Sequence, residues 1–230
     1  MKIKRTMLIV ILLTGYLISG YSQPIENPNS ALKSHETLLI SKVELAQEKT
    51  VVHFSIENRI ENGNFCADRN IYLVDQEGKK YQIQKTSGIP VCPDSYKFRN
   101  IGEVVRFTLE FPPLRPGTKW IDIIENCSEN CFWFYGVTLD NELNKRIDEA
   151  FSKASTVTPA DNMFLFKSIL DDIDSQNLGI EGLLYLNIIS AARENADNVN
   201  AMVWYKRLAA SKAPRVGEYL KYLNDRGVKY

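Results

Sequence analysis

At Asp140 the spacing of apolar residues changes, and that change constrains the fold more than any other feature. Before it, apolar residues recur at every second position; after it they recur at every third or fourth. A chain with that switch is built of strands first and helices second. The clearest strand is Val104–Phe111, where Val105, Phe107, Leu109 and Phe111 point one way and Arg106, Thr108 and Glu110 the other. Thr50–Asn58 alternates in the same manner, and Thr37–Val43 precedes it. Asn70–Val74 and Lys80–Gln84 flank Asp75-Gln76-Glu77-Gly78-Lys79, a hairpin turn in which Gly78 is free to take positive φ. Ser87–Asn100, with Pro90, Cys92 and Pro93, reads as a loop or a poor edge strand. The last hairpin spans Trp120–Leu139, two strands around the turn Ser128-Glu129-Asn130.

About seven short strands with turns every 8–12 residues predict an antiparallel β-sandwich of immunoglobulin-like type over residues 36–139. The Cys…Trp…Cys spacing of true immunoglobulin domains is missing, so only the architecture is expected. Residues 24–35 are polar with two prolines and read as a flexible lead-in. Residues 140–230 read as an α-helical domain. Leu143, Ile147 and Phe151 form the stripe of a first helix over Asn141–Ser155. Thr158-Pro159-Ala160-Asp161 starts a second: Thr158 caps, Pro159 suits the first helical position, and Asp161 closes a capping box. Further helices are expected over 181–194, 199–212 and 215–225, with Gly227 as a C-cap. The whole is an α+β multidomain chain.

The first 23 residues have the layout of a secretory signal peptide: Lys2, Lys4 and Arg5, an apolar run over Met7–Leu17, then small and polar residues up to Gln23. The run is shorter than the ~20 residues of a spanning helix, so no membrane span is expected after cleavage. The segment contains no cysteine for lipid attachment. The chain carries 28 basic and 28 acidic residues; without this segment 25 and 28 remain, a net charge of −3. That balance offers no electrostatic basis for binding nucleic acid.

All four cysteines, Cys66, Cys92, Cys127 and Cys131, fall in the β half. An even count in an exported chain reads as disulfides, and four cysteines allow three pairings. The preferred pairing is Cys127–Cys131 across the hairpin and Cys66–Cys92 between loops. The alternative joins a hairpin cysteine to Cys66 or Cys92. Cys127-Ser-Glu-Asn-Cys131 is a C-x3-C between strands, whereas thioredoxin-like redox sites are C-x-x-C at a helix N-terminus. A structural disulfide is therefore expected ahead of thiol–disulfide exchange.

No other motif names a reaction. His35 and His53 lie apart, and there is no nucleophile elbow, H-E-x-x-H or phosphate-binding Gly-rich loop. The four cysteines lack the spacing of a zinc site. Asp171-Asp172-Ile173-Asp174 fails as a calcium loop, with Asn177 where Gly is needed and Leu183 where Glu is needed. No cofactor or metal is expected. The aromatic residues Trp120, Phe132, Trp133, Phe134 and Tyr135 fall on both faces of their strands, so one face fills the sandwich and the other needs cover. The helices of residues 141–230 are expected to cover it; the alternative is that Trp120, Trp133 and Tyr135 form a bare ligand face such as a sugar-stacking platform.

Two resemblances add to this. Ala201-Met-Val-Trp204-Tyr205-Lys-Arg207-Leu-Ala209-Ala210, followed by Gly217 and Leu220, resembles the second helix of a Sel1-like or tetratricopeptide repeat. Pro214 lies one position late for the tetratricopeptide pattern, and the match covers one repeat. It implies a protein-binding helical scaffold, with Trp204 and Tyr205 as candidate binding residues. Thr50-Val51-Val52-His53-Phe54, Tyr72-Leu73-Val74-Asp75, Gly78-Lys79-Lys80-Tyr81, Phe107–Leu114, Ile121–Glu125 and Phe134-Tyr135-Gly136-Val137 are together similar to a β-domain of exported Bacteroidota proteins, some of which join it to a thioredoxin-like domain. That implies fold and an exported location, in the periplasm, at the cell surface or secreted. The functional expectation is a non-enzymatic protein that binds another envelope or secreted protein, with thiol–disulfide exchange through Cys127 and Cys131 or glycan binding through Trp120 and Trp133 as the alternatives.

Overall fold

The computed structural model describes residues 24–173 and 176–230; the signal segment expected at residues 1–23 lies outside them. With strands numbered in chain order, one five-stranded sheet has the order β1 (Ile25–Glu26), β3 (Leu38–Leu45), β4 (Thr50–Glu57), β10 (Val104–Phe111) and β8 (Lys85–Ser87). The other has the order β2 (Leu32–Lys33), β12 (Trp133–Thr138), β11 (Trp120–Glu125), β6 (Ile71–Asp75) and β7 (Lys80–Gln82). All pairings within both are antiparallel. A two-stranded ribbon of β5 (Asn64–Phe65) and β9 (Tyr96–Lys97) bridges loops at one end.

The two large sheets face each other across one core. Val52, Phe54, Phe107, Leu109 and Phe111 of the first meet Ile71, Leu73, Ile121, Ile123 and Phe134 of the second. The rings of Phe54 and Phe107 stack at 5.0 Å, and Phe134 lies 5.9 Å from Phe54. Each such side chain withdrawn from water contributes about 1.5–3 kcal/mol.

Five helices follow: α1 (Asn141–Ala154), α2 (Pro159–Ile173), α3 (Glu181–Glu194), α4 (Asn198–Ala210) and α5 (Val216–Asp225). They form a second core with α3 at its centre, where Leu184, Ile188 and Ile189 are buried. Leu32 of the second sheet and Ala31 just before it belong to that helical core, and Trp133 and Tyr135 pack against it. The molecule is therefore layered: an outer sheet, a middle sheet covered on both faces, and helices. Thr158 caps α2 as expected, its hydroxyl accepting the Asp161 N–H at 3.2 Å, but the Asp161 carboxylate accepts from that same hydroxyl at 2.7 Å instead of from the Thr158 backbone N–H of a capping box.

Residues 24–35 are not a free lead-in. Ile25 pairs with Val43 in the outer sheet and Leu32 with Tyr135 in the middle sheet, so the segment crosses from one sheet to the other. Ile25, Ala31 and Leu32 are buried, which a polar average hides. Asn144, itself buried on α1, accepts the Asn29 backbone N–H at 2.7 Å, and Asp148 accepts from the Asn29 amide at 2.9 Å. Ser87–Asn100 likewise contributes the end of β8 and all of β9, each too short to show alternation.

Candidate functional site

Two regions concentrate polar groups, one at each end of β11. At its far end, loops of the sandwich surround an open cleft of about 620 Å³. Both disulfides border it: Cys66–Cys92, with Cα atoms 5.3 Å apart, and Cys127–Cys131, with Cα atoms 5.5 Å apart. These are the two pairings preferred from the sequence. Cys66 follows directly on β5, and the Cys127–Cys131 bond closes the turn between β11 and β12.

Glu125 fastens these loops together. It is a buried acid in which one carboxylate oxygen accepts the Asp68 N–H at 2.8 Å and the other the Phe132 N–H at 2.9 Å. Burial pushes its carboxyl above the usual carboxylate range, and the two N–H groups only partly offset that. Asn58 does similar work on the opposite wall. Its side-chain amide donates to the Asn100 carbonyl at 2.9 Å, and its backbone N–H to the Glu103 carbonyl. Gly63 is required beside it, because a Cβ there would stand 2.0 Å from the Asn58 side-chain oxygen. Glu57, Arg59, Asp68 and Glu129 complete the charged lining, Arg59 lying 3.5 Å from Glu57. His35 also faces the cleft, its Nδ1 2.7 Å from the Ser34 hydroxyl. Burial lowers its pKa, so the ring is neutral at neutral pH.

At the other end of β11 the helices dock. Ile121 pairs with Val137 but Ile123 with Phe134, so Asp122 stands opposite two residues, Tyr135 and Gly136. This β-bulge leaves the Gly136 N–H without a ladder partner, and the Asp122 carboxylate accepts it at 2.8 Å. The other carboxylate oxygen accepts from Arg215 Nε at 2.9 Å and from a terminal guanidinium nitrogen. Arg215 lies 4.7 Å over the Tyr135 ring and holds a left-handed φ of 64° at the start of α5. Burial raises the Asp122 carboxyl, and the Gly136 N–H and Arg215 work against that rise.

Glycines allow the close approach at this seam. A Cβ on Gly136 would meet the Gly179 carbonyl oxygen at 2.0 Å, and one on Gly179 the Trp120 indole at 2.4 Å. Within the helical layer, a Cβ on Gly182 of α3 would meet the Tyr219 ring of α5 at 2.0 Å. Tyr219 is 0% exposed, and its hydroxyl has no hydrogen-bond partner among the described residues.

The candidate binding aromatics are used for this docking. Trp120 is 6% exposed and donates its indole N–H to the Asn177 carbonyl at 3.1 Å. Trp133 and Tyr135 stack on each other at 4.3 Å and pack on the helical core. The helices occupy the face that an open sugar-stacking platform would need. Trp204 is buried against Tyr185, with Arg207 over its ring, and Tyr205 is half-buried with its hydroxyl 3.1 Å from Asn224. None of the five lines the cleft. Among the described residues no group of His, Cys, Asp and Glu is arranged to hold a metal ion, and no helix is long and apolar enough to cross a membrane.

The cleft residues Glu125 and Asn58 and the seam residues Asp122 and Arg215 were not singled out from the sequence, and His35 was set aside there as lacking a partner. A signal existed for two of them. Asp122 and Glu125 interrupt an otherwise apolar strand, and an acid in a strand buried on both faces needs dedicated partners. No family model matches the chain, and no curated protein matches it.

Proposed function

We propose that the protein is an exported, non-enzymatic binding protein that takes a segment of another envelope or secreted protein into the loop cleft. One observation carries the reading: both disulfides border the same cleft. Cross-links at Cys66–Cys92 and Cys127–Cys131 restrict the loops before any partner arrives. Binding surfaces on loops held by a rigid sandwich lose less freedom on association. The ionisable groups in the cleft suit recognition better than catalysis. Both Glu125 oxygens are engaged by backbone N–H groups, and His35 is turned to Ser34. With all four cysteines oxidised, the chain also suits an oxidising compartment. In this reading the β part is an immunoglobulin-like sandwich related to the β-domain of exported Bacteroidota proteins, and α3 and α4 form a pair like those of tetratricopeptide or Sel1-like repeats.

The test is recovery of a partner from the native envelope with the wild-type protein and with Arg59→Glu/Glu129→Arg. A partner held by the former and lost from the latter supports the reading. Equal recovery by both, or hydrolytic or redox turnover by the pure protein, overturns it. Thiol–disulfide exchange is the second reading, because Cys127 and Cys131 are half-buried at the rim rather than enclosed. A reduction potential below about −300 mV for that pair would mark it as structural.

A further inference from the structure

Charge is segregated along the helical layer. Residues 140–197 hold five basic and eleven acidic residues, and residues 198–230 hold seven basic and two acidic. Of the seven, Arg215 is engaged by Asp122. Lys206, Arg207, Lys212, Lys221, Arg226 and Lys229 are exposed and make no ion pair among the described residues.

Two exposed stripes carry this asymmetry. On α4, Val199, Val203, Lys206 and Ala210 follow at steps of four, three and four residues, so they share one face. All four are exposed, Val199 at 69% and Val203 at 40%. On α2, Asp161, Phe164, Ser168 and Asp171 follow at steps of three, four and three. They too are all exposed, Phe164 at 67%. Each stripe runs about three turns and sets large apolar side chains beside charge: Lys206, with Arg207 next to it, on α4, and Asp161 and Asp171 on α2, where Asp171 already pairs with Lys167 of the same helix. The helices lie on either side of α3, so both stripes sit on flanks of the same layer.

We propose that a second copy of this chain docks here, the Val199–Ala210 stripe of one copy lying on the Asp161–Asp171 stripe of the next. The match is complementary in charge and gives Phe164 an apolar seat between Val199 and Val203. Because the two patches differ, the contact is heterologous and leaves a free stripe at each end, so it propagates from copy to copy rather than stopping at a dimer. The inference is independent of the cleft.

Sedimentation of the purified protein over a rising concentration series tests it, at about 0.03 M and about 0.3 M salt, which bracket weak and strong screening. The average mass is expected to climb with concentration at low salt and to fall back at high salt. Lys206→Glu/Arg207→Glu carries two acidic faces, and Asp161→Lys/Asp171→Lys two basic ones. Each is expected to associate at least tenfold more weakly alone, an equimolar mixture to associate again, and all four changes in one chain to restore self-association. Phe164→Ser, which leaves charge unchanged, is expected to weaken it as well. All these positions are exposed, and circular dichroism checks the fold. A wild-type protein that stays monomeric throughout overturns the proposal. So does association that survives both reversals, or a monomer whose basic face instead captures anionic lipid vesicles or polyglutamate.

Discussion

The two ends of β11 each bury an acid, three residues apart, and hold it by different means. Asp122 at the helical seam takes one backbone N–H and one guanidinium. Glu125 at the cleft takes two backbone N–H groups and no cation. Around Asp122 nothing is covalent; the layers meet through Gly136 and Gly179 and through a paired charge, and behind them α3 meets α5 through Gly182. Around Glu125 two disulfides tie the loops, and the space beyond them stays open. The seam is closed and depends on fit. The cleft is open and depends on cross-links. A region whose walls are fixed before a partner arrives is the better place to look for binding.

The largest effect should come from spoiling the fit. Gly182→Val places side-chain atoms inside the volume of the Tyr219 ring, and evicting that buried ring costs about 3–5 kcal/mol. Hydrogen exchange is expected to accelerate in the helices while the outer sheet stays protected. Equal loss in both layers would mean that seam and sandwich unfold as one.

Removing the cross-links should act on the other region. By the chain-entropy relation, Cys66→Ser/Cys92→Ser, which opens the longer loop, costs about 3–4 kcal/mol, and Cys127→Ser/Cys131→Ser about 2 kcal/mol. Denaturant midpoints give the order, and a reversed order would assign the hairpin bond the larger role.

Asp122→Asn should cost about 2 kcal/mol, below the figure for a fully enclosed pair because the Arg215 side chain is 35% exposed. Arg215→Gln should cost more, since it leaves the Asp122 carboxylate, 1% exposed, with the Gly136 N–H and no counter-charge. Thermal unfolding of the two variants checks this order.

The smallest effect is the most diagnostic. The Glu125 carboxyl is raised in the folded protein, so folding takes up a proton there. Its contribution is complete below the unfolded value of about 4.3 and declines as pH rises through the folded value. Asp75 behaves oppositely. Burial would raise it, but Arg115, Tyr81 and the Lys79 and Glu77 N–H groups outweigh burial and hold it low, so its contribution is lost as pH falls. Glu125→Gln should cost about 1 kcal/mol and flatten the decline of the melting temperature above about pH 4, leaving the acid limb unchanged. An unaltered profile would show that Glu125 titrates as an ordinary surface acid.

Alternation made the outer sheet readable. Arg106, Thr108 and Glu110 face out while Phe107, Leu109 and Phe111 face in, and β10 came out at its expected bounds. The middle sheet is buried on both faces, so its run of Trp120, Ile121, Ile123 and Ile124 announced the helical cover without identifying which residues of the helical half provide it. The Cys127–Cys131 bond was legible because only three residues separate the partners. The bulge at Asp122 was not, since a bulge leaves no mark on composition, and neither was Arg215, whose left-handed backbone is unusual for a residue with a side chain. The cleft escaped because it is assembled from loops distant in sequence; the two disulfides on its border were legible, but not that they border one space.

The strap at residues 25–33 has a consequence for how the molecule is completed. Asn29 joins Asn144 across 115 positions of chain, and Leu32 pairs with Tyr135. The earliest described part of the chain therefore finds its seat only after the last strand and the first helix exist. Such long closures slow folding, and they make cooperation between the halves part of the topology. Cutting the protein at the strand-to-helix switch would leave the Asn29 end of the strap without Asn144 and Asp148, so that neither fragment is a finished unit.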